Sequence, residues 1–302
     1  WSIPCVMIND APRFGYRGLH LDESRHFFGM EEVKRYLDIM EVHKLNTLHW
    51  HLTDDQGWRI EIKKYPELTS VGSKRSGTCV KKDFKSTDGV PYGEGMWYTQ
   101  DQIREIIDYA AAKGIDVLPE IDLPGHMLAA LTAYPELGCT GGPYSVWTRW
   151  GISDDVLCAG NEKVYEFLEN VLSEVCELFP YKYIHIGGDE VDMSQWRRCP
   201  DCNALMQKCG MTTTVELQQY FMSRVAEILA RYDKLPAGWN EAIEGGKLSA
   251  ETRVYGWEGV KECRASAAEG YSTVVMPGAY FYFDMKQSAR ETGHDWAAIF
   301  YW

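Results

Sequence analysis

The chain has 302 residues, long enough to bury one large core, and a formal charge of −13 from 31 Lys and Arg against 44 Asp and Glu. An acidic surface repels nucleic acid and anionic membranes, so neither is expected as a partner. No run of about 18 apolar residues is present, and no basic-then-apolar leader precedes Trp1, which reads as a processed or cut end.

In chain order, short apolar runs alternate with helical patterns, as in βαβ units on a parallel sheet. The first strand is predicted at "YRGLHLDE" (16–23), followed by a helix over 31–44 and a strand at "TLHWHLTD" (47–54). A helix over 100–113 leads to "DVLPEID" (116–122), and one over 161–178 leads to "YIHIGGDE" (183–190). A helix over 214–232 precedes "LPAGWNE" (235–241), and "TRVYGWEG" (252–259) and "STVVMPG" (272–278) complete seven strands. The connections 55–98 and 125–160 are long and rich in Gly, Trp and Tyr, as loops around a binding mouth would be.

Charged, aromatic or amide residues recur at the strands' C-terminal ends: Asp22, Asp54, Asp122, Asp189, Glu190, Trp239, Glu241 and Trp257. A (β/α)8 TIM-type barrel builds its site at that end from many strands, whereas an open doubly wound sheet gathers ligands at one switch point. The barrel is preferred because the polar ends recur on nearly every strand and no Gly-rich phosphate loop follows the first. Residues 1–302 are expected to be one catalytic barrel domain, incomplete at its C-terminus, because the chain stops at "DWAAIFYW" before an eighth strand and so leaves an open edge.

The nine cysteines are odd in number and irregularly spaced, unlike a disulfide framework. "CPDCNALMQKC" (199–209) invites a zinc reading. A structural zinc site needs four ligands, however, and the nearest histidine, His185, lies inside the preceding strand, so a local disulfide or free thiols is the expectation there.

In "YIHIGGDEVD" (183–192) two glycines remove side chains just before the adjacent carboxylates Asp189 and Glu190. With the "LPGH" turn of His126, the acidic "TDD" at 53–55, Arg25, and tryptophans at later strand ends, the set suits a sugar, which stacks on indole and takes hydrogen bonds from charged groups. Glycoside hydrolysis is the leading chemistry. Adjacent carboxylates nevertheless fit poorly with the usual acid and nucleophile that flank the scissile bond about 5 Å or more apart.

"YRGLHLDESRHF", "NTLHWHLTDDQGWRIEIKKYPELT", "VLPEIDLPGH" and "YIHIGGDEVD" resemble, in order and spacing, the motifs of the family 20 glycoside hydrolases, the β-N-acetylhexosaminidases, from about residue 13 to about 286. The resemblance implies a retaining exo-enzyme, without cofactor or metal, that removes terminal β-linked GlcNAc or GalNAc from a glycan. It also implies that the substrate's own 2-acetamido oxygen is the nucleophile and forms an oxazolinium intermediate. By motif, Glu190 matches the general acid and Asp189 the residue that orients the acetamido N–H. Asp54 and His126 match the pair that tunes the acid, and burial against aromatic walls is expected to keep Glu190 partly protonated. Arg25 matches the clamp on O3 and O4, Trp239 and Trp257 the pocket walls, Tyr282 the donor to the acetamido oxygen and Asp284 the holder of a distal hydroxyl. Glu241 is a weaker candidate for support. The family's last strand supplies a further tryptophan and a glutamate, and the family also carries a small N-terminal α/β domain. Neither is in this chain, so full activity is expected of a longer parent.

Competing readings exist for several of these. Arg25 could simply pair with Asp22 or Glu23, and the tryptophans could be core. The chain could also be an inactive or carbohydrate-binding barrel, or a metal-dependent hydrolase using His49 and His51 of "HWH", which share a strand face. The expected partner is a glycan ending in N-acetylhexosamine, and the expected compartment is extracellular, periplasmic or lysosomal, with no signal in this chain. Oligomeric state is not readable from the sequence.

Overall fold

The computed structural model describes residues 2, 4–80, 85–149, 151–246, 248–283 and 290. Its strands are β1 (Gly18–Asp22), β2 (Thr47–Asp54), β3 (Gly57–Trp58), β4 (Asp116–Leu123), β5 (Tyr183–Gly187), β6 (Leu235–Trp239), β7 (Arg253–Gly256) and β8 (Ser272–Val275). The helices are α1 (Met30–Val42), α2 (Glu67–Ser70), α3 (Gln100–Ala111), α4 (Leu128–Ala133), α5 (Glu162–Leu178), α6 (Ser194–Arg198), α7 (Pro200–Cys209), α8 (Thr214–Ala230), α9 (Val260–Ala268) and α10 (Gly278–Phe281). Seven strands pair in parallel in the order β1-β2-β4-β5-β6-β7-β8, and β3 is a two-residue hairpin folded back on β2. The sheet curls as a TIM-type barrel does: Tyr16, just before β1, meets Tyr255 of β7 with ring centroids 5.7 Å apart. No pairing joins β1 to β8 among the described residues.

All eight residues of β2 are buried, as expected for a central parallel strand covered on both faces. Its period-2 alternation divides the labour. Leu48, Trp50 and Leu52 face outward into the layer shared with the helices, while His49 and His51 face inward. Likewise Ile184 and Ile186 of β5 join the outer layer, and Leu118, Ala237, Trp239 and Tyr255 form an inner cluster. The register carries this inward face across the sheet, with Asp22 beside His51, His51 beside Glu120, Glu120 beside His185 and His185 beside Ala237.

The helices follow from apolar spacing and caps. In α5, Val164, Phe167, Leu168, Val171, Leu172 and Val175 repeat at three- and four-residue steps and are buried, behind an Asn161 side chain that caps the start. Thr99 with Gln102, and Thr213 with Glu216, form capping boxes that start α3 and α8. Among the described residues no helix is long and apolar enough to cross a membrane. The predicted strands at 183–190, 235–241 and 252–259 end earlier, at Gly187, Trp239 and Gly256. Asp189 and Glu190 therefore stand on the loop after β5 rather than on the strand, and residues 240–243 form a 3₁₀ turn.

Candidate active site

The site lies beyond the C-terminal ends of β1, β2, β4, β5, β6 and β7. After β5 the chain turns sharply: Gly187, Gly188 and Glu190 have φ of 62°, 99° and 50°. A Cβ at Gly187 would stand 1.6 Å from Oδ1 of Asp122, and one at Gly188 would stand 2.6 Å from Cβ of Ala242. Only glycine lets β5 pass this close to β4 and to the 3₁₀ turn after β6. The buried Gln218 of α8 donates from Nε2 to Gly188 O at 2.9 Å and holds the turn from behind. His126, at φ 55°, is held in the same left-handed region on the loop after β4.

Asp54, at the end of β2, is the hub. Its Oδ2 lies 2.8 Å from both Arg25 Nη2 and His51 Nε2, and its Oδ1 lies 3.1 Å from His126 Nδ1. Nε2 of His126 in turn lies 3.4 Å from Oε2 of Glu190 and 3.5 Å from Oδ2 of Asp189, at charge-pair separation. The five expected residues Arg25, Asp54, His126, Asp189 and Glu190 are thus brought together. Glu190 is 32 % exposed at its side chain and faces solvent more than the expected aromatic burial implied.

Behind this hub the line continues into the barrel. His51 Nδ1 and His49 Nε2 each lie 2.8 Å from Oε2 of Glu120, a carboxylate with no exposure at all, and Trp239 Nε1 donates to Oε1 of Glu120 at 2.8 Å. Burial drives His51 down, yet Glu120 and Asp22 beside it hold it well above the usual imidazole range. Burial likewise opposes His126, which Asp54 and then Asp189 lift well above that range. Burial pushes Glu120 and Asp54 upward, and their cationic neighbours outweigh it, keeping both below the carboxylate range. His49 is driven well down, mainly by burial, and stays neutral. Charges therefore alternate from Glu120 (negative) through His51 (positive) and Asp54 (negative) to His126 (positive), which faces the two carboxylates.

Asp122, 1 % exposed, is pushed well up by burial and then by the charge of Asp189, so it is a neutral acid behind the turn. Asp55 has a different task from Asp54: Oδ1 accepts from Leu128 N and Oδ2 from Ser153 N, both at 3.1 Å, tying the 125–160 loop to β2. On the other side, buried Arg59 donates to the carbonyls of Glu23, Ser24, Ser73 and Met96. Arg75 donates to the carbonyls of Gln56 and Arg25, so the 55–98 loop buttresses the arginine.

Arg25 does pair with Asp22, at 3.0 Å, and also with Asp54 and with Gln56 Oε1, yet 41 % of its side chain stays exposed at the mouth. Trp257 is half-buried at the rim, with its indole N–H on Oε2 of Glu241 at 3.1 Å. Glu241 is pushed up to about 8 by burial and by Asp189. Trp239 differs from the pocket-wall expectation: it is 6 % exposed and packs on His49, His185 and Tyr255 in the barrel interior, so only an edge is open to a ligand. The physical reason is its inward position on β6 together with a buried acceptor, Glu120, for its N–H. Tyr282 follows α10, half-buried against Gly278. Asp284 lies outside the described residues. His49 and His51 share a face as expected, and that face is the one turned to Glu120. Sequence reasoning missed Glu120, His51 and Asp122 as parts of the network. The alternation of His49 and His51 on β2, and of Glu120 and Asp122 on β4, was the available signal.

The description "Glycosyl hydrolase family 20, catalytic domain" matches residues 14–302. The chain belongs to this family. It is 43 % identical to a beta-hexosaminidase of Porphyromonas gingivalis over 278 residues, covering 92 % of this chain and 34 % of that protein. With a beta-hexosaminidase of Vibrio furnissii it is 42 % identical, covering 98 % of this chain and 49 % of the other. Among solved structures, a family 20 exo beta-N-acetylglucosaminidase of Vibrio harveyi in complex with N-acetylglucosamine superposes with a TM-score of 0.83 at 38 % identity, over 95 % of this chain and 45 % of that one. The Flavobacterium johnsoniae chitobiase superposes with a TM-score of 0.78 at 40 % identity, over 89 % and 39 % of the two chains. The family 20 chain described here thus spans from about a third to about half of the curated relatives it matches. Both the family and the curled parallel sheet are those expected from the motifs.

Proposed function

We propose that this family 20 domain is the catalytic part of a retaining exo-β-N-acetylhexosaminidase that hydrolyses terminal β-linked GlcNAc or GalNAc from glycans by substrate-assisted catalysis. The observation that carries the reading is that Asp189 and Glu190 converge on one imidazole nitrogen, Nε2 of His126. Two carboxylates side by side on one partner suit one acid and one orienting group better than an acid and a nucleophile on opposite walls.

In this reading the acetamido carbonyl oxygen attacks the anomeric carbon while Glu190 gives its proton to the departing glycosidic oxygen. Asp189 accepts the acetamido N–H and stabilises the positive charge that develops on the ring formed. Glu190 then takes a proton from water, which opens the oxazolinium at the anomeric carbon and restores the β configuration. His126, kept cationic by Asp54, holds both carboxylates in register, and Arg25 presents its exposed guanidinium edge to the sugar hydroxyls. Trp257 and Tyr282 would flank the ring, and Asp284 would take a distal hydroxyl. The enzyme's place of work in this reading is an extracellular, periplasmic or lysosomal compartment.

The test is turnover of aryl β-GlcNAc, β-GalNAc and β-glucoside substrates sharing one leaving group. The N-acetyl sugars should be cleaved and the plain glucoside left essentially intact. Equal turnover of the glucoside would remove the acetamido group from the mechanism.

A further inference from the structure

Away from the carboxylates, three segments distant in sequence bring four cysteines to one point. Cys139 follows α4, Cys158 precedes α5, Cys199 caps the start of α7, and Cys202 lies in its first turn. All four Sγ atoms lie within 4.8 Å of one another. The separations are 3.6 Å for Cys158 and Cys199, 3.7 Å for Cys158 and Cys202, and 3.9 Å for Cys139 and Cys202. Four thiolates bound tetrahedrally to zinc at about 2.3 Å stand about 3.8 Å apart along each edge, so the measured edges are those of such a site. Disulfides would instead divide the group into two couples at about 2.05 Å, and Cys158 stands equally close to two partners.

From this geometry we infer that Cys139, Cys158, Cys199 and Cys202 form a structural zinc site, which clamps the loop carrying His126 to the loop carrying Asp189 and Glu190. No oxidant is needed: four thiols release four protons, and the thiolates bind Zn²⁺ with a net charge of −2. The surroundings suit that charge. Cys158, Cys199 and Cys202 are 2 %, 4 % and 0 % exposed and Cys139 is half-buried, so all four coordination positions of a closed structural site are supplied by the chain. The helix α7 opens at Cys199 with Pro200 at its first position, so the positive end of its dipole lies at the cluster. The N–H of Gly160 bonds Cys202 directly. Gly160 has to be glycine for this contact, because a Cβ there would lie 2.2 Å from the carbonyl carbon of Asp201.

The clamp has a reason in the fold. The loop after β4 and the loop after β5 hold the two left-handed residues His126 and Glu190, and strained backbone persists only where its surroundings fix it. Trp196 Nε1 donates to Leu157 O at 2.9 Å, and Cys158 N donates to Leu137 O at 2.8 Å, so the cluster is the knot of a larger seam between these loops. Cys209, on the same helix, is exposed and stands outside the group.

The test is the metal content of protein purified without chelators from zinc-replete medium, read by inductively coupled plasma and native mass spectrometry. About one zinc per chain is expected, released when a mercurial titrates the thiols. Cys209→Ser should keep the metal, and Cys199→Ser/Cys202→Ser should lose it. If the double variant does not fold, release of zinc from the unaltered protein in step with modification of these four thiols, mapped by peptide mass spectrometry, decides the matter. Protein without zinc, iron in place of zinc, or a mass short by the hydrogens of two disulfides among these cysteines would overturn the assignment. So would zinc that leaves without engagement of these thiols.

Discussion

Asp54→Asn removes one charge at the point where Arg25, His51 and His126 meet. Two unit charges 3.1 Å apart, the separation of Asp54 Oδ1 and His126 Nδ1, attract by about 5 kcal/mol at an effective dielectric of about 20. The asparagine oxygen still accepts a hydrogen bond, and the Asp189 carboxylate remains beside the imidazole. The net fall in the proton affinity of His126 is therefore smaller, about 1–3 pKa units. Arg25 and His51, cations no longer offset, push in the same direction. The assay is an NMR titration of ¹⁵N-labelled histidine in the native protein and in the variant, with the His126 signal assigned by its loss in His126→Asn. The pH dependence of kcat/KM on an aryl β-GlcNAc is measured alongside. Native His126 should stay protonated through neutrality. In Asp54→Asn it should lose its proton at least one unit lower, and kcat/KM at neutral pH should fall by about 100-fold, the scale for loss of one preorganised electrostatic group. A His126 titration unmoved by the substitution would refute the reasoning, because Asp54 would then not be what keeps the imidazole charged.

Glu190→Gln should abolish turnover of glycosides with poor leaving groups and harm activated aryl glycosides much less, since an activated phenolate departs without a proton; a uniform loss across a leaving-group series would assign the acid elsewhere. Glu241 has a folded pKa of about 8 against an ordinary value of 4.5, so the unfolded chain gives up this proton first. Its stabilising contribution is complete below the unfolded value and is lost as pH rises through about 8. Denaturant midpoints measured across that window should decline less steeply in Glu241→Gln than in the native protein, and equal slopes would contradict the protonated Glu241.

The strands were readable because short segments with Val, Leu and Ile, such as 116–122, alternate with helical patterns, and caps such as Thr99 with Gln102 mark where helices start. Strand ends were less readable. "YIHIGGDE" reads through as one strand, and what stops it is a tertiary fact, the Asp122 carboxylate standing where a Cβ of Gly187 would be. The carboxylate pair, His126 and Asp54 were legible as motifs, whereas the internal hub at Glu120 depends on which way side chains point across four strands. The fate of Trp239 turned on the same question. The cysteine cluster was least legible. "CPDC" showed two thiols, but the other two come from the 125–160 loop at no characteristic spacing, and only the packing of α6 and α7 on that loop unites them.

The central claim is that Asp189 and Glu190 divide the work of a reaction whose nucleophile is the substrate's own acetamido group. Calorimetric binding of a GlcNAc analogue whose acetamido group is closed into a thiazoline ring, compared with GlcNAc itself in native protein and in Asp189→Asn, tests it most directly. The thiazoline should bind the native protein at least about 100-fold more tightly than GlcNAc does, because it resembles the ring the site is built to hold, and most of that advantage should vanish in Asp189→Asn. Equal affinity for the two ligands, or a thiazoline advantage that survives in Asp189→Asn, would contradict the account.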